Sequence, residues 1–192
     1  MFDNGKHIGL SKLDGWRCRT TIYADGTIDF LSSSGKRLPV SEKVRNAVRA
    51  IRDAGRVPLA SQLDGEWMKR RPDYDGPECI YLFAPMVLAG EWVGHLPFKE
   101  RWEWINKLEL PVDDLSIKKS DHMPNEPLLL PASANCELTE FFDIHINVPR
   151  TEGVVIYKAE GKMYGNPREP KKSRDMYKIK YREGHDGRTK IE

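Results

Sequence analysis

A chain of 192 residues with 39% hydrophobic side chains is long enough to bury one sizeable core, which excludes wholesale disorder. Lys and Arg total 31 against 29 Asp and Glu, so a net charge of +2 excludes a chain that is polycationic as a whole. Any polyanionic partner must meet a local patch, and that patch is C-terminal: Lys158–Glu192 holds 11 basic and 6 acidic residues, whereas Glu100–Tyr157 holds 5 basic and 11 acidic.

Cys18, Cys79 and Cys136 are far apart and form no Cys-x-x-Cys, so neither a disulfide framework nor a zinc site of usual spacing is expected. The N-terminus lacks the apolar stretch of a signal peptide, and no run approaches the roughly 18 apolar residues of a membrane helix. The expected location is the cytoplasm.

In chain order, Ile8–Leu13 reads as a strand, and Arg17–Tyr23 and Thr27–Ser32 as a β-hairpin around Ala24-Asp25-Gly26. A helix follows. Ser41 is its N-cap, Val44, Val48 and Ile51 share one face, and Gly55 closes it. Further strands are expected at Glu78–Phe83, Gly153–Lys158 and Met176–Tyr181, and further helices at Phe98–Leu108, opened by Pro97, and Glu137–Phe142. This is a mixed α and β pattern with frequent Gly and Pro punctuation.

The chemistry begins at Lys12-Leu13-Asp14-Gly15-Trp16-Arg17. Read singly, a strand lysine before Asp-Gly is a solvated edge residue and a hairpin turn. Four fixed positions of this kind occur by chance in roughly one chain in a thousand of this length, so Lys-x-Asp-Gly-x-Arg carries information. It resembles the nucleophile motif of the covalent nucleotidyltransferases: ATP-dependent DNA ligases, RNA ligases and mRNA-capping guanylyltransferases. Further matches follow in the family's order. Asp64-Gly65-Glu66 resembles the third motif, and Ile80-Tyr81-Leu82-Phe83 with Leu96-Pro97-Phe98-Lys99-Glu100-Arg101 the block after it. Glu152-Gly153-Val154-Val155-Ile156-Tyr157-Lys158 is similar to the fourth, and Lys178-Ile179-Lys180 to the fifth.

The resemblance implies an α+β fold of twisted antiparallel sheets flanked by helices, with a nucleotide pocket between them. Within it, Lys12 is implied as the catalytic nucleophile that forms lysine–AMP. Arg17, Glu66, Phe83, Lys178 and Lys180 are implied as ATP-binding residues, Glu66 on the ribose side and Phe83 stacked on adenine, with Glu152 on the Mg²⁺ side. The residue types suit those tasks. An attacking lysine must be neutral, which neighbouring cations or burial promote, and the same cations offset charge on a triphosphate. Taken one at a time, Glu66 and Glu152 read as turn carboxylates, Phe83 as core, and Lys178 with Lys180 as the exposed face of an edge strand. Their co-occurrence with Lys12 reverses those readings.

His7-Ile8-Gly9-Leu10 misses the fourth residue of the class I synthetase signature it partly matches, and no phosphate-loop Gly-x-x-x-x-Gly-Lys-Ser/Thr exists. Departures from the family also stand out. In Ser32-Ser33-Ser34-Gly35-Lys36-Arg37, Ser33 occupies a place where ligases usually carry arginine, and Lys36 or Arg37 is expected to compensate. Eleven residues precede Lys12, fewer than is usual. Tyr181–Gly187 resembles the hinge after which short bacteriophage-type DNA ligases continue into an OB-fold, so the expected organisation is a nucleotidyltransferase domain over 1–187 and a hinge or tail over 188–192. The OB-fold is then absent, or supplied by a separate chain or accessory protein. The function expected is an ATP-dependent DNA ligase core acting on nicked duplex DNA through phosphate contacts. The alternatives are an RNA ligase and a non-catalytic nucleic-acid or nucleotide-binding module built on a ligase fold.

Overall fold

In the computed structural model, residues 6–69, 78–110, 117–119, 151–165, 170–171, 175–183 and 189–191 are described. Cys136 and the helix expected at Glu137–Phe142 lie outside them. Strands β1 (His7–Leu13), β2 (Trp16–Ile22) and β3 (Ile28–Leu31) precede helix α1 (Glu42–Asp53). Then come β4 (Ser61–Met68), β5 (Cys79–Leu88), β6 (Glu91–Trp92), α2 (Phe98–Lys107) and β7 (Ile117–Lys119). The chain continues through β8 (Thr151–Lys158), β9 (Tyr164–Gly165), β10 (Pro170–Lys171), β11 (Met176–Glu183) and β12 (Thr189–Ile191).

These strands form two main sheets. The larger runs β3-β2-β4-β5-β6, with β7 added in parallel to β5; the smaller runs β1-β8-β11-β12 in antiparallel order, and β9 pairs with β10 separately. Thr189–Ile191, assigned to a tail from sequence, returns along β11 with Tyr181 opposite Ile191, a pairing that satisfies backbone groups on the free edge of β11.

Alternation along the strands divides the large sheet into two faces. Cys18, Leu63, Trp67, Ile80 and Leu82 point to one side, where they meet Val44, Ala47, Val48 and Ile51 of α1. Ser41 caps that helix by accepting a hydrogen bond from the Val44 amide at 3.5 Å, and Gly55 takes the left-handed conformation (φ 68°) beyond its end. On the opposite face, Tyr81, Phe83 and Met68 join Ile8, Leu10 and Leu13 of β1 and Phe98 and Trp102 of α2 in a second cluster. The candidate site lies on this second face.

Two local arrangements position it. Pro97 stands at the N-cap of α2 rather than at its first helical residue, and supplies no side-chain bond to the amides behind it. Those amides are taken instead by the chain after β8: Phe98 N–H donates to the Gly161 carbonyl at 2.8 Å and Lys99 N–H to that of Ala159 at 2.9 Å. Helix α2 thereby fastens the end of the small sheet to the large one. At Gly153 (φ 143°), a Cβ would come within 1.8 Å of the Ile179 carbonyl oxygen, so only glycine lets β11 approach β8 this closely.

Candidate active site

Lys12 sits where the ladder between β1 and β8 is irregular: Ser11 pairs with Val154, Leu13 with Thr151, and the register shifts between them. Such a break re-aims a side chain. Lys12 forms an ion pair with Glu152, and the other oxygen of that carboxylate accepts from Lys180 Nζ at 2.9 Å. Lys180 lies opposite Gly153 across β8 and β11, which brings it beside Glu152.

The Asp14-Gly15 turn does not make a hairpin. It carries the chain out of the small sheet into the large one, because β1 pairs with β8 whereas β2 pairs with β3 and β4. Lys12 and Arg17 consequently approach one space from two sheets. Arg17 grips the Asp64 carboxylate with Nε and Nη2, and its guanidinium lies 5.6 Å from the centroid of the Phe83 ring. Burial disfavours the charge of Arg17, but Asp64 more than offsets this and holds the guanidinium firmly protonated.

Between the sheets is a cavity of about 340 Å³. Lys12, Arg17, Glu66, Phe83 and Lys178 all line it. Glu152 and Lys180 adjoin it through Lys12, so the structure gathers all seven residues predicted from sequence. Asp64-Gly65-Glu66 lies in the middle of β4, where Gly65 packs so closely that a Cβ would meet the Tyr81 carbonyl oxygen at 2.3 Å. Asp64 and Glu66 therefore share the cavity face. Phe83 is both core residue and cavity wall, 7% exposed. Phe98 and Tyr157, stacked at 3.9 Å with their planes 7° apart, add further aromatic lining.

Sequence reading missed Arg19, Asp64, Arg101 and Tyr157 as cavity residues. Strand alternation offered a signal for two of them, since Arg19 is two residues from Arg17 and Asp64 two from Glu66. Arg101 and Tyr157 fall inside segments that resemble family motifs, but no role was assigned to either there. Lys36 and Arg37, expected to compensate for Ser33, are exposed; Arg37 pairs instead with Asp29 at 3.1 Å.

The electrostatics are tuned by burial. Burial first, then the ammonium groups of Lys180 and Lys178, pushes the Lys12 amine below its ordinary value, while Glu66 and Asp14 act in the opposite sense. The ion pair with Glu152 also favours the charged amine, so Lys12 is held between opposing influences. Glu66 is pushed up by burial to about 7, against the pull of Arg17 and Lys12.

That shift yields a stability prediction. The folded state retains a proton on Glu66 that the unfolded chain releases near 4.5, so this group's stabilisation is present below that pH and is lost as pH rises through about 7. The loss amounts to about 3 kcal/mol. Urea unfolding of the wild-type protein and Glu66→Gln at pH 4.5, 6 and 8 should show the stability difference moving in favour of the variant as pH rises. A difference that stays constant with pH would mean that Glu66 titrates normally.

The family resemblance also implies a divalent cation. Among the described residues no group of three or more His, Cys, Asp and Glu could hold one. Mg²⁺, however, is commonly held by one or two carboxylates together with substrate phosphates and water, and Glu152 at the edge of the cavity suits that mode.

Two sheets enclosing a cavity, with a strand lysine on one wall and an arginine–carboxylate pair on the other, make up a ligase-type nucleotidyltransferase fold. Solved structures bear this out. The chain is similar to mycobacterial DNA ligase D complexed with ATP and MES (TM-score 0.60, 15% identity, 91% of this chain and 54% of that one). It is similar also to Pmar-Lig_PreS3 (TM-score 0.63, 19% identity, 93% and 43%) and to an archaeal ATP-dependent RNA ligase (TM-score 0.50, 18% identity, 80% and 40%). The chain spans about half the length of these structures or less. Neither protein-family models nor curated proteins give a match.

Proposed function

We propose that this chain is the adenylation core of an ATP-dependent polynucleotide ligase, with nicked DNA as its substrate. The observation that carries this reading is the convergence of Lys12, Arg17, Glu66, Phe83 and Lys178 on one cavity from β1, β2, β4, β5 and β11, which belong to two sheets. The cavity combines an aromatic and thioether lining from Phe83, Phe98, Tyr157 and Met176 with cations at Lys12, Arg17 and Lys178. A purine needs the first and a polyphosphate the second.

In this reading the Phe83 wall receives the adenine and Glu66 accepts hydrogen bonds from the ribose hydroxyls. The neutral Lys12 amine attacks the α-phosphorus, a phosphorus–nitrogen bond forms, and the bond to the pyrophosphate oxygen breaks. Lys178 and Arg17 offset the negative charge spread over the phosphate oxygens, the electrostatic task that dominates phosphoryl transfer. Mg²⁺, held by Glu152 and the phosphates, would neutralise charge on the leaving group. The AMP is then passed to a 5′-phosphate, and the neighbouring 3′-hydroxyl displaces it to seal the strand. The basic segment from Lys158 onward supplies contacts to the polynucleotide phosphates.

Incubation with Mg²⁺ and α-labelled ATP or GTP, followed by denaturation, tests both chemistry and base choice. Label from ATP should remain on the chain. Label from GTP alone would replace this reading with a capping-type activity, and no label from either would favour a non-catalytic binding module.

A further inference from the structure

Arg19, like Arg101, is a buried charge on the cavity that the proposed mechanism leaves unused. It projects from β2 on the same face as Arg17, is 9% exposed, and lines the cavity beside Ser33. Its register partner on β4 is Asp64, but both oxygens of that carboxylate are engaged by Arg17. Among the described residues the Arg19 guanidinium makes one hydrogen bond, from Nη2 to the Ser32 carbonyl at 3.3 Å, and its buried Nε makes none. Among the described residues, no carboxylate forms an ion pair with it.

A guanidinium in this condition is costly to bury, and a backbone carbonyl satisfies one of its five donors. Its planar fork suits bidentate contact with an oxyanion, and phosphate is the oxyanion that both substrates of a polynucleotide ligase carry. The location also bears on Ser33, which brings no charge of its own to the cavity. The loop that holds Ser33 folds over Arg19: the Ser32 carbonyl accepts its bond, and a Cβ added at Gly35 (φ 79°) would lie 3.8 Å from Nη2. A cation is therefore present under this loop, carried by the neighbouring strand rather than by the loop itself.

We propose that Arg19 forms a phosphate-binding subsite of the cavity, distinct from the Lys12–Glu152–Lys180 group and filled by a phosphate of the nucleotide or of the polynucleotide end. This rests on the ligase reading above. Its test compares ATP with adenosine, and a nicked duplex bearing a 5′-phosphate with one bearing a 5′-hydroxyl, for the wild-type protein, Arg19→Gln and Arg19→Lys. If the nucleotide supplies the phosphate, Arg19→Gln lowers ATP affinity at least tenfold while adenosine affinity changes less than twofold. If the polynucleotide end supplies it, the variant instead loses the preference for 5′-phosphate over 5′-hydroxyl. In either case Arg19→Lys keeps part of the lost affinity. Both preferences unchanged, or adenosine affinity falling in step with ATP, would overturn the subsite.

Should Arg19→Gln fail to fold, the wild-type protein still decides. Its Arg19 Nε–H nitrogen resonance, identified by its absence from Arg19→Lys, must shift on addition of tripolyphosphate or the 5′-phosphorylated duplex. A resonance unmoved by both removes the proposal. Absence of a Lys12–AMP adduct in the wild-type protein would count against the ligase reading, while the comparison of ATP with adenosine would still decide the role of Arg19.

Discussion

After incubation with ATP and Mg²⁺, intact-protein mass spectrometry should find one added AMP, and Lys12→Ala should remove it completely. The expectation rests on the position of Lys12 on the cavity wall, with burial and two neighbouring ammonium groups favouring its neutral form. Lys12→Arg should fail as well, because a guanidinium stays protonated and cannot act as the attacking group. The two variants separate chemistry from charge: both lack a nucleophile, but Arg keeps the cation facing Glu152, so Lys12→Arg should retain more ATP affinity than Lys12→Ala. An AMP adduct that persists in Lys12→Ala would place the covalent chemistry elsewhere and overturn the mechanism.

Glu152→Gln should lower the rate of adduct formation at least tenfold, equivalent to about 1.4 kcal/mol of barrier. The substitution preserves size and hydrogen-bonding capacity while removing the charge that Lys12 and Lys180 share. Two consequences follow. If the carboxylate helps to hold the divalent ion, raising the Mg²⁺ concentration should recover part of the rate. The variant should also unfold at a lower temperature than the wild-type protein in the absence of metal and nucleotide, since two part-buried ammonium groups lose their common partner. A lower unfolding temperature with an unchanged rate would confine Glu152 to a structural role.

Much of this arrangement can be read directly from the amino-acid sequence. The strand character of residues 8–13, 17–23 and 176–181 follows from their short runs rich in apolar residues between turn signals, and the cap and periodic face of α1 follow from Ser41, Val44, Val48 and Ile51. Candidate residues for the cavity are equally legible, because Lys12, Arg17, Glu66, Phe83, Glu152, Lys178 and Lys180 fall in segments that resemble nucleotidyltransferase motifs in the same order. What local sequence could not settle is where the strands go. Asp14-Gly15 reads as a hairpin turn, yet it separates β1 and β2 into different sheets, because β1 finds its hydrogen-bond partner about 140 residues later in β8. The cavity exists only because of that separation.

The same limit explains the residues that were missed. Arg101 and Tyr157 reach the cavity through the docking of α2 onto the end of β8, which depends on amide bonds to Ala159 and Gly161 and on the stacking of Phe98 with Tyr157. Arg19 shows the limit most clearly. Alternation places it on the face of Arg17, but whether its charge is paired depends on which arginine captures Asp64, a competition decided by side-chain geometry across β2 and β4. The sequence by itself determined the residues able to carry the chemistry and the strands and helices that bear them. Tertiary structure alone decided which of their charges compensate one another and which face the cavity, since those outcomes depend on contacts between strands far apart in the chain.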